Sequence, residues 1–153
     1  MSYAVSIQRV SPRPIAAVAD RMPISEVPAR FASLLNLVYA AARSTAIKLD
    51  GQNVFVYRGD SSSEVDVEFG VGVDAPFAPI GRVTYSQVPG GEVAAARHWG
   101  AYSGLGEAHA AIHSWCKAQG RSLSTTRWEV YGHWSDDPAT VWTDVLWLLT
   151  AAA

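Results

Sequence analysis

Apolar residues recur at helical spacing in two stretches of the chain, and each stretch has its own boundary signals. Ser25 is a predicted N-cap for the first helix, with Pro28 in its first turn, where a missing N–H costs little. Ser103 is the predicted start of the second helix, and Gly120 its end. The buried faces are predicted to comprise Val27, Phe31, Leu34, Leu35, Val38 and Ala42 in the first helix, and Leu105, Ala108, Ile112, Trp115 and Cys116 in the second.

Runs of alternating or continuous apolar residues between turn signals predict strands around these helices. Pro12 and Pro14 are expected to end the first strand, and the stretch 74–81 is expected to be a linker. The predicted strands are 5–10, 54–57, 64–73, 82–88, 92–98, 127–131 and 142–149.

The order strand, helix, strand, strand therefore occurs twice, in pseudo-repeats of about 1–75 and 82–153 within a single domain, 1–153. We predict the α+β class, with the duplicated modules forming one antiparallel sheet. Both helices are expected to cover one face of that sheet, and a ligand groove to lie on the other.

Composition excludes several classes of protein. Hydrophobic residues make up 49% of the 153, charged residues 17%, and the net charge is −2 without a Lys/Arg run, so phosphate contacts with nucleic acid have no electrostatic basis. The single cysteine, Cys116, allows no internal disulfide and is expected to be a small core residue. No apolar run spans a bilayer and the first ten residues do not resemble a signal peptide, so we expect a cytoplasmic protein that binds no membrane.

Aromatic residues concentrate in the second half, where all six tryptophans lie between Trp99 and Trp147. Glu129 lies among them in a predicted strand, which places Arg127, Glu129 and Tyr131 on one side and Trp128 on the other, under the second helix. A carboxylate among rings is unfavourable when unpaired, but it suits a flat, apolar, cationic ligand. The alternative is an ordinary strand residue paired with Arg127 or with a neighbouring strand.

Together these elements resemble the GyrI-like small-molecule (effector) binding family, which includes gyrase-inhibitory proteins and the effector domains of multidrug-responsive transcription activators. The segments that carry the resemblance are Pro89–Ala94, His98–Tyr102, Trp115, Trp128–Gly132 and Thr143–Leu149. It implies a duplicated α/β fold with a ligand groove between the halves, and a pocket role for Glu129 towards cationic aromatic ligands. Because no helix-turn-helix precedes Tyr3, it also implies a stand-alone binding protein.

Glu68 is the predicted counterpart of Glu129 across the groove, one carboxylate from each half, although an ordinary half-exposed strand is the alternative. Opposed carboxylates favour a cation or act as acid and base, so the candidate catalytic residues are Glu129 and Glu68. The predicted ligand-binding residues are Glu129, Tyr131, Glu68, Tyr57, Trp99, Tyr102, Trp134 and Trp147. His109 and His113 have the spacing of a metal-binding pair but lack a third ligand, so no metal and no cofactor is predicted.

Three functions follow from this reading. The first is binding of apolar, planar, cationic compounds, for drug or toxin sequestration or for effector sensing. The second is hydrolysis of strained electrophilic cytotoxins of the cyclopropanoid type, because some stand-alone members of the family are similar to such hydrolases. The third is a gyrase-inhibitor-like protein that acts through a protein partner. A small-molecule ligand is the expected partner, and a homodimer stays open.

Overall fold

Eight antiparallel strands form one sheet in the computed structural model, which describes residues 3–150. The outermost residues of the predicted domain, 1–2 and 151–153, lie outside the described residues. The elements are β1 (Ser6–Val10), β2 (Arg13–Pro23), α1 (Val27–Ser44), β3 (Leu49–Arg58), β4 (Glu64–Val73), β5 (Val83–Val88), β6 (Gly91–Trp99), α2 (Leu105–Ala118), β7 (Leu123–Tyr131) and β8 (Trp142–Leu149). The predicted α+β class, an antiparallel sheet with two helices, is confirmed.

The strand order, β1-β6-β8-β7-β3-β4-β2-β5, places the two halves of the chain side by side. β2, α1, β3 and β4 form one half, β6, α2, β7 and β8 form the other, and β3 pairs with β7 where they meet. β1 precedes the first half along the chain but pairs with β6 at the edge of the second, and β5 precedes the second half but pairs with β2 at the edge of the first. This arrangement is what a duplicated unit would produce, and the duplication itself stays a prediction.

β2 was not predicted from the sequence. Pro12 and Pro14 were expected to end the first strand, yet Pro14 is the second residue of β2. At Pro14 the strand pairs with β5 only, since pairing with β4 begins at Ile15, and proline is tolerated at such a position. The run that follows, Ile15 to Val18, is almost fully buried because β2 has neighbours on both sides.

Register places two rows of side chains across the centre of the sheet, on the face that the helices cover. One row runs Trp147, Arg127, Tyr57 across β8, β7 and β3, and the next runs Val145, Glu129, Phe55. α1 packs on the β2–β4 side of this face and α2 on the β6–β8 side. The central strands β3 and β7 therefore lie between the two helices.

The centre of the opposite face of the sheet is a packed core, and the cavity lies instead on the face that the helices cover. Trp128 packs on this face with Val54, Val56 and Leu146, which also corrects its expected place under the second helix. Ile15 of β2 and Val93 of β6 belong to the same cluster, although their strands are far apart in the strand order. The sheet therefore curls around this face and fills it with its own side chains. Within residues 3–150, no helix is both long and apolar enough to cross a membrane.

We expect Trp128→Ala to lower the free energy of unfolding by about 3–5 kcal/mol, the range for truncating a large buried aromatic side chain. Trp128 is 2% exposed, whereas Trp134 is 69% exposed. Trp134→Ala is therefore the matched control and should change stability by no more than about 0.5 kcal/mol. Urea denaturation followed by circular dichroism measures both. A small effect of Trp128→Ala would contradict a packed core on this face.

Candidate functional site

A cavity of about 970 Å³ lies between α1 and α2, above the central strands of the sheet. Both helices wall it, β3 and β7 form its floor, and the loops after β3 and β7 close its ends. Aromatic rings dominate the lining: Phe31, Phe55, Tyr57, Tyr102, Tyr131, Trp134 and Trp147. Several apolar side chains at the cavity are solvent-exposed, which is typical of a binding site: Ile24, Phe31, Tyr102 and Trp134.

Glu129 lies in the floor with its carboxylate almost fully enclosed, and the residue is 7% exposed. Oε1 accepts hydrogen bonds from the hydroxyls of Tyr57, at 3.3 Å, and Tyr131. Oε2 lies 2.8 Å from Nε2 of His109 on α2. The carboxylate is therefore buried and solvated by the protein, with donors from β3, β7 and α2.

The indole of Trp147 determines the tautomer of His109. The Trp147 N–H can only donate, and it lies 2.9 Å from Nδ1 of His109, which must accept. His109 therefore carries its proton on Nε2 and donates to Glu129 as a neutral imidazole. A chain of hydrogen bonds thus runs from β8 through α2 to the floor.

These contacts set the charge states at the floor. Burial acts to raise the pKa of Glu129, but the hydrogen bond and charge interaction with His109, together with hydrogen bonds from Tyr131 and Tyr57, outweigh it and hold that pKa below its ordinary value. Burial and the nearby Glu129 charge raise the pKa of Tyr57 and of Tyr131. At neutral pH the carboxylate is ionised, and both phenols remain protonated donors.

Arg127 is the second buried charge at the cavity, 2% exposed and two residues before Glu129. Its guanidinium donates to the carbonyls of Gly59, at 2.5 Å, and Thr125, at 2.9 Å, and to the hydroxyl of Ser61, at 2.6 Å. It also lies 5.2 Å from the centre of a Trp147 ring. Burial lowers the pKa of Arg127 from a value so high that the group stays charged.

Six of the predicted ligand-binding residues line this one cavity: Glu129, Tyr131, Tyr57, Tyr102, Trp134 and Trp147. Trp99 does not. It lies near the end of the opposite face, 49% exposed, with the Arg97 guanidinium 5.8 Å from its ring. The roles of the six residues in binding stay predictions.

Glu68 does not face the cavity, which corrects its prediction as the counterpart of Glu129. Phe55 lies opposite both Glu129 and Phe69, so Glu68, one residue before Phe69, points to the other side of the sheet. There it forms a 2.6 Å ion pair with Arg58. Glu68 and Glu129 therefore do not face each other across one cavity, and the catalysis predicted from that pair has no support in the structure.

Three polar lining residues were not among the predicted site residues: His109, His113 and Arg127. The sequence does contain a signal for the two histidines, because their i, i+4 spacing puts both on one helix face. That spacing was considered only as a metal-binding motif. Among the described residues, no group of three or more His, Cys, Asp or Glu side chains is placed to hold a metal ion.

Solved structures similar to this chain share its fold. The C-terminal domain of EcmrR has a TM-score of 0.79 at 18% identity, covering 99% of this chain and 100% of that one. SAV2435 bound to tetraphenylphosphonium has a TM-score of 0.68 at 10% identity, covering 98% and 94%. A hydrolase from Listeria innocua has a TM-score of 0.62 at 14% identity, covering 97% and 93%.

Sequence comparison gives the family. No curated protein matches the chain. The sequence model of the GyrI-like small molecule binding domain matches residues 3–149, nearly the whole chain. The chain therefore belongs to the GyrI-like family of small-molecule-binding domains.

Proposed function

We propose that this protein binds flat, apolar aromatic compounds that carry a positively charged group. The observation that carries the proposal is the 970 Å³ cavity, walled by aromatic rings, with the Glu129 carboxylate in its floor. Rings offer apolar area and attract cations through their faces, and a buried carboxylate adds a counter-charge where water does not screen it.

The state of Glu129 supports a role as a permanent counter-charge. Its pKa is held below the ordinary value because its contacts with His109, Tyr131 and Tyr57 outweigh the effect of burial. No positively charged side chain forms an ion pair with it in the described part of the chain, given the neutral tautomer of His109. A ligand cation near the cavity floor would meet a carboxylate that is ionised and not yet paired.

One structural neighbour adds support. SAV2435 was solved with tetraphenylphosphonium, an apolar aromatic cation, and it shares the fold of this chain. Binding of this kind would serve either sequestration of a toxic compound or sensing of an effector. An open cavity also fits a small-molecule site better than a surface used only for a protein partner.

Hydrolysis is less well supported, although another neighbour is named a hydrolase. The predicted mechanism needed Glu68 opposite Glu129, and Glu68 lies on the other face. A carboxylate whose pKa is lowered is also a weak general base at neutral pH, and it is not protonated to act as an acid.

We expect Glu129→Gln to weaken binding of N-methylacridinium by about 1–3 kcal/mol, the range for a hydrogen bond or contact to a charged group. Acridine, which is uncharged at mildly alkaline pH and has the same ring system, should be affected much less. The tryptophans at the cavity, Trp134 and Trp147, allow both affinities to be measured by fluorescence quenching.

The matched control is Glu68→Gln, which removes a carboxylate from the opposite face and should leave both affinities unchanged. Equal losses for acridine and N-methylacridinium in Glu129→Gln would show that Glu129 only maintains the shape of the cavity.

Glu129 should also make stability depend on pH. Because the folded pKa of Glu129 is lower than the unfolded one, its ionisation stabilises the fold above the unfolded value, and this stabilisation is lost as pH falls through the folded value. We therefore expect the difference in unfolding free energy between the wild type and Glu129→Gln to shrink steadily on acidification below about pH 4.5, the ordinary value. Urea titrations at a series of pH values measure it, and a difference that grows towards acid would contradict the assignment.

If the protein only binds, strained electrophiles of the cyclopropane or epoxide type should be recovered unchanged after incubation with it. Mass spectrometry of the small-molecule fraction detects the added mass of water. Hydrolysis that survives in Glu129→Gln would point to a different catalytic residue, and hydrolysis abolished by that variant would restore the enzymatic function.

A further inference from the structure

The cavity floor carries two buried charges of opposite sign that are not paired with each other. Arg127 and Glu129 project from β7 on the same face, in adjacent rows of the sheet. Two residues of strand separate their backbones by about 7 Å. Arg127 is in no ion pair of the described residues. Glu129 contacts one titratable base, His109, and the Trp147 hydrogen bond keeps that imidazole neutral.

Arg127 is held in place but not neutralised. Its partners are two carbonyls and one hydroxyl, all uncharged. The nearby carboxylate of Asp60 belongs to the exposed loop after β3, where solvent screens it, and it accepts instead from the backbone N–H of Ser62. A guanidinium so enclosed is costly unless a counter-charge arrives with the ligand.

The guanidinium also has N–H groups that make no hydrogen bond. It has five N–H groups, of which the three hydrogen bonds to Gly59, Thr125 and Ser61 use three. Its Nε makes no hydrogen bond within residues 3–150. In that range, Thr143 Oγ1 is the one fully enclosed side-chain polar atom without a hydrogen-bond partner, so the Nε of Arg127 is not fully enclosed. Arg127 is also one of the residues that line the cavity.

Charge balance decides what kind of ligand this floor suits. A simple cation would be attracted by Glu129 and repelled by Arg127 a short distance away, and the filled site would hold a net positive charge away from water. A simple anion meets the reverse problem. A molecule with a positive group near Glu129 and an anionic group near Arg127 leaves neither buried charge unpaired.

We propose that the physiological ligand is an aromatic zwitterion, a flat ring system that carries both a cationic group and a carboxylate-like group. The cationic group lies towards Glu129, and the anionic group accepts from Arg127. This inference rests on the proposed function and narrows its ligand class. It makes Arg127 the residue that distinguishes zwitterions from simple cations.

The test uses two dyes with the same ring system. Rhodamine B has a free carboxylate and is a zwitterion at neutral pH, whereas rhodamine B ethyl ester is a cation. Fluorescence anisotropy gives both affinities for the full chain. We expect the wild type to bind rhodamine B about tenfold or more tightly than the ester, as for a hydrogen bond to a charged group.

Arg127→Gln should remove this preference by weakening rhodamine B while the ester binds as well as before or better. Arg58→Gln, which removes an arginine paired with Glu68 on the opposite face, should keep the preference and serves as the matched control. Urea denaturation shows whether Arg127→Gln is folded. If it is not, the comparison of the two dyes on the wild type decides alone.

The outcomes separate the two proposals. Equal affinities, or tighter binding of the ester by the wild type, would overturn the zwitterion and leave binding of cations intact. Equal weakening of both dyes by Arg127→Gln would also overturn it, because Arg127 would then only anchor the loop at Gly59 and Ser61. If neither dye binds the wild type, the proposed function itself fails, and the zwitterion fails with it.

Discussion

Burial of one carboxylate is the constraint on which the rest of the site depends. Glu129 is enclosed in the floor and would cost several kcal/mol if its oxygens had no partners. Its donors come from separate elements: Tyr57 from β3, Tyr131 from its own strand and His109 from α2. Because each donor must stay within hydrogen-bond distance, the network fixes how far α2 stands from the sheet where the two halves meet. The width of the cavity follows from that spacing.

The same network accounts for a cavity that the side chains around it do not fill. A gap lined only by aliphatic groups would be expected to close, since collapse gains packing and excludes water. Here, closing the gap would enclose Arg127 and Glu129 completely without giving either one a counter-charge. Keeping the cavity open to water or a ligand is less costly than sealing two unpaired charges beneath the helices. The placement of the charges of β7 therefore favours an open cavity.

Much of the fold could be predicted from periodicity, because helices and alternating strands leave local signals. β4 and β8 begin and end where the pattern placed them, at Glu64–Val73 and Trp142–Leu149. Alternation also grouped Arg127, Glu129 and Tyr131 correctly on one side of β7. It could not tell which side the helices cover, since that depends on how the halves pack. The error at Glu68 has the same origin, because its face relative to Glu129 is set by registers through Phe55 that no local pattern records.

The core on the curled face and the cavity floor are built from different side chains, whereas several floor residues also pack in the two clusters under the helices. Trp128 and its neighbours form a core on the curled face that shares no side chain with the cavity floor. Substitutions in the floor therefore leave the contacts of the core on the curled face in place. This separation offers a physical reason why structures only 10–18% identical to this chain keep its fold at TM-scores of 0.62–0.79.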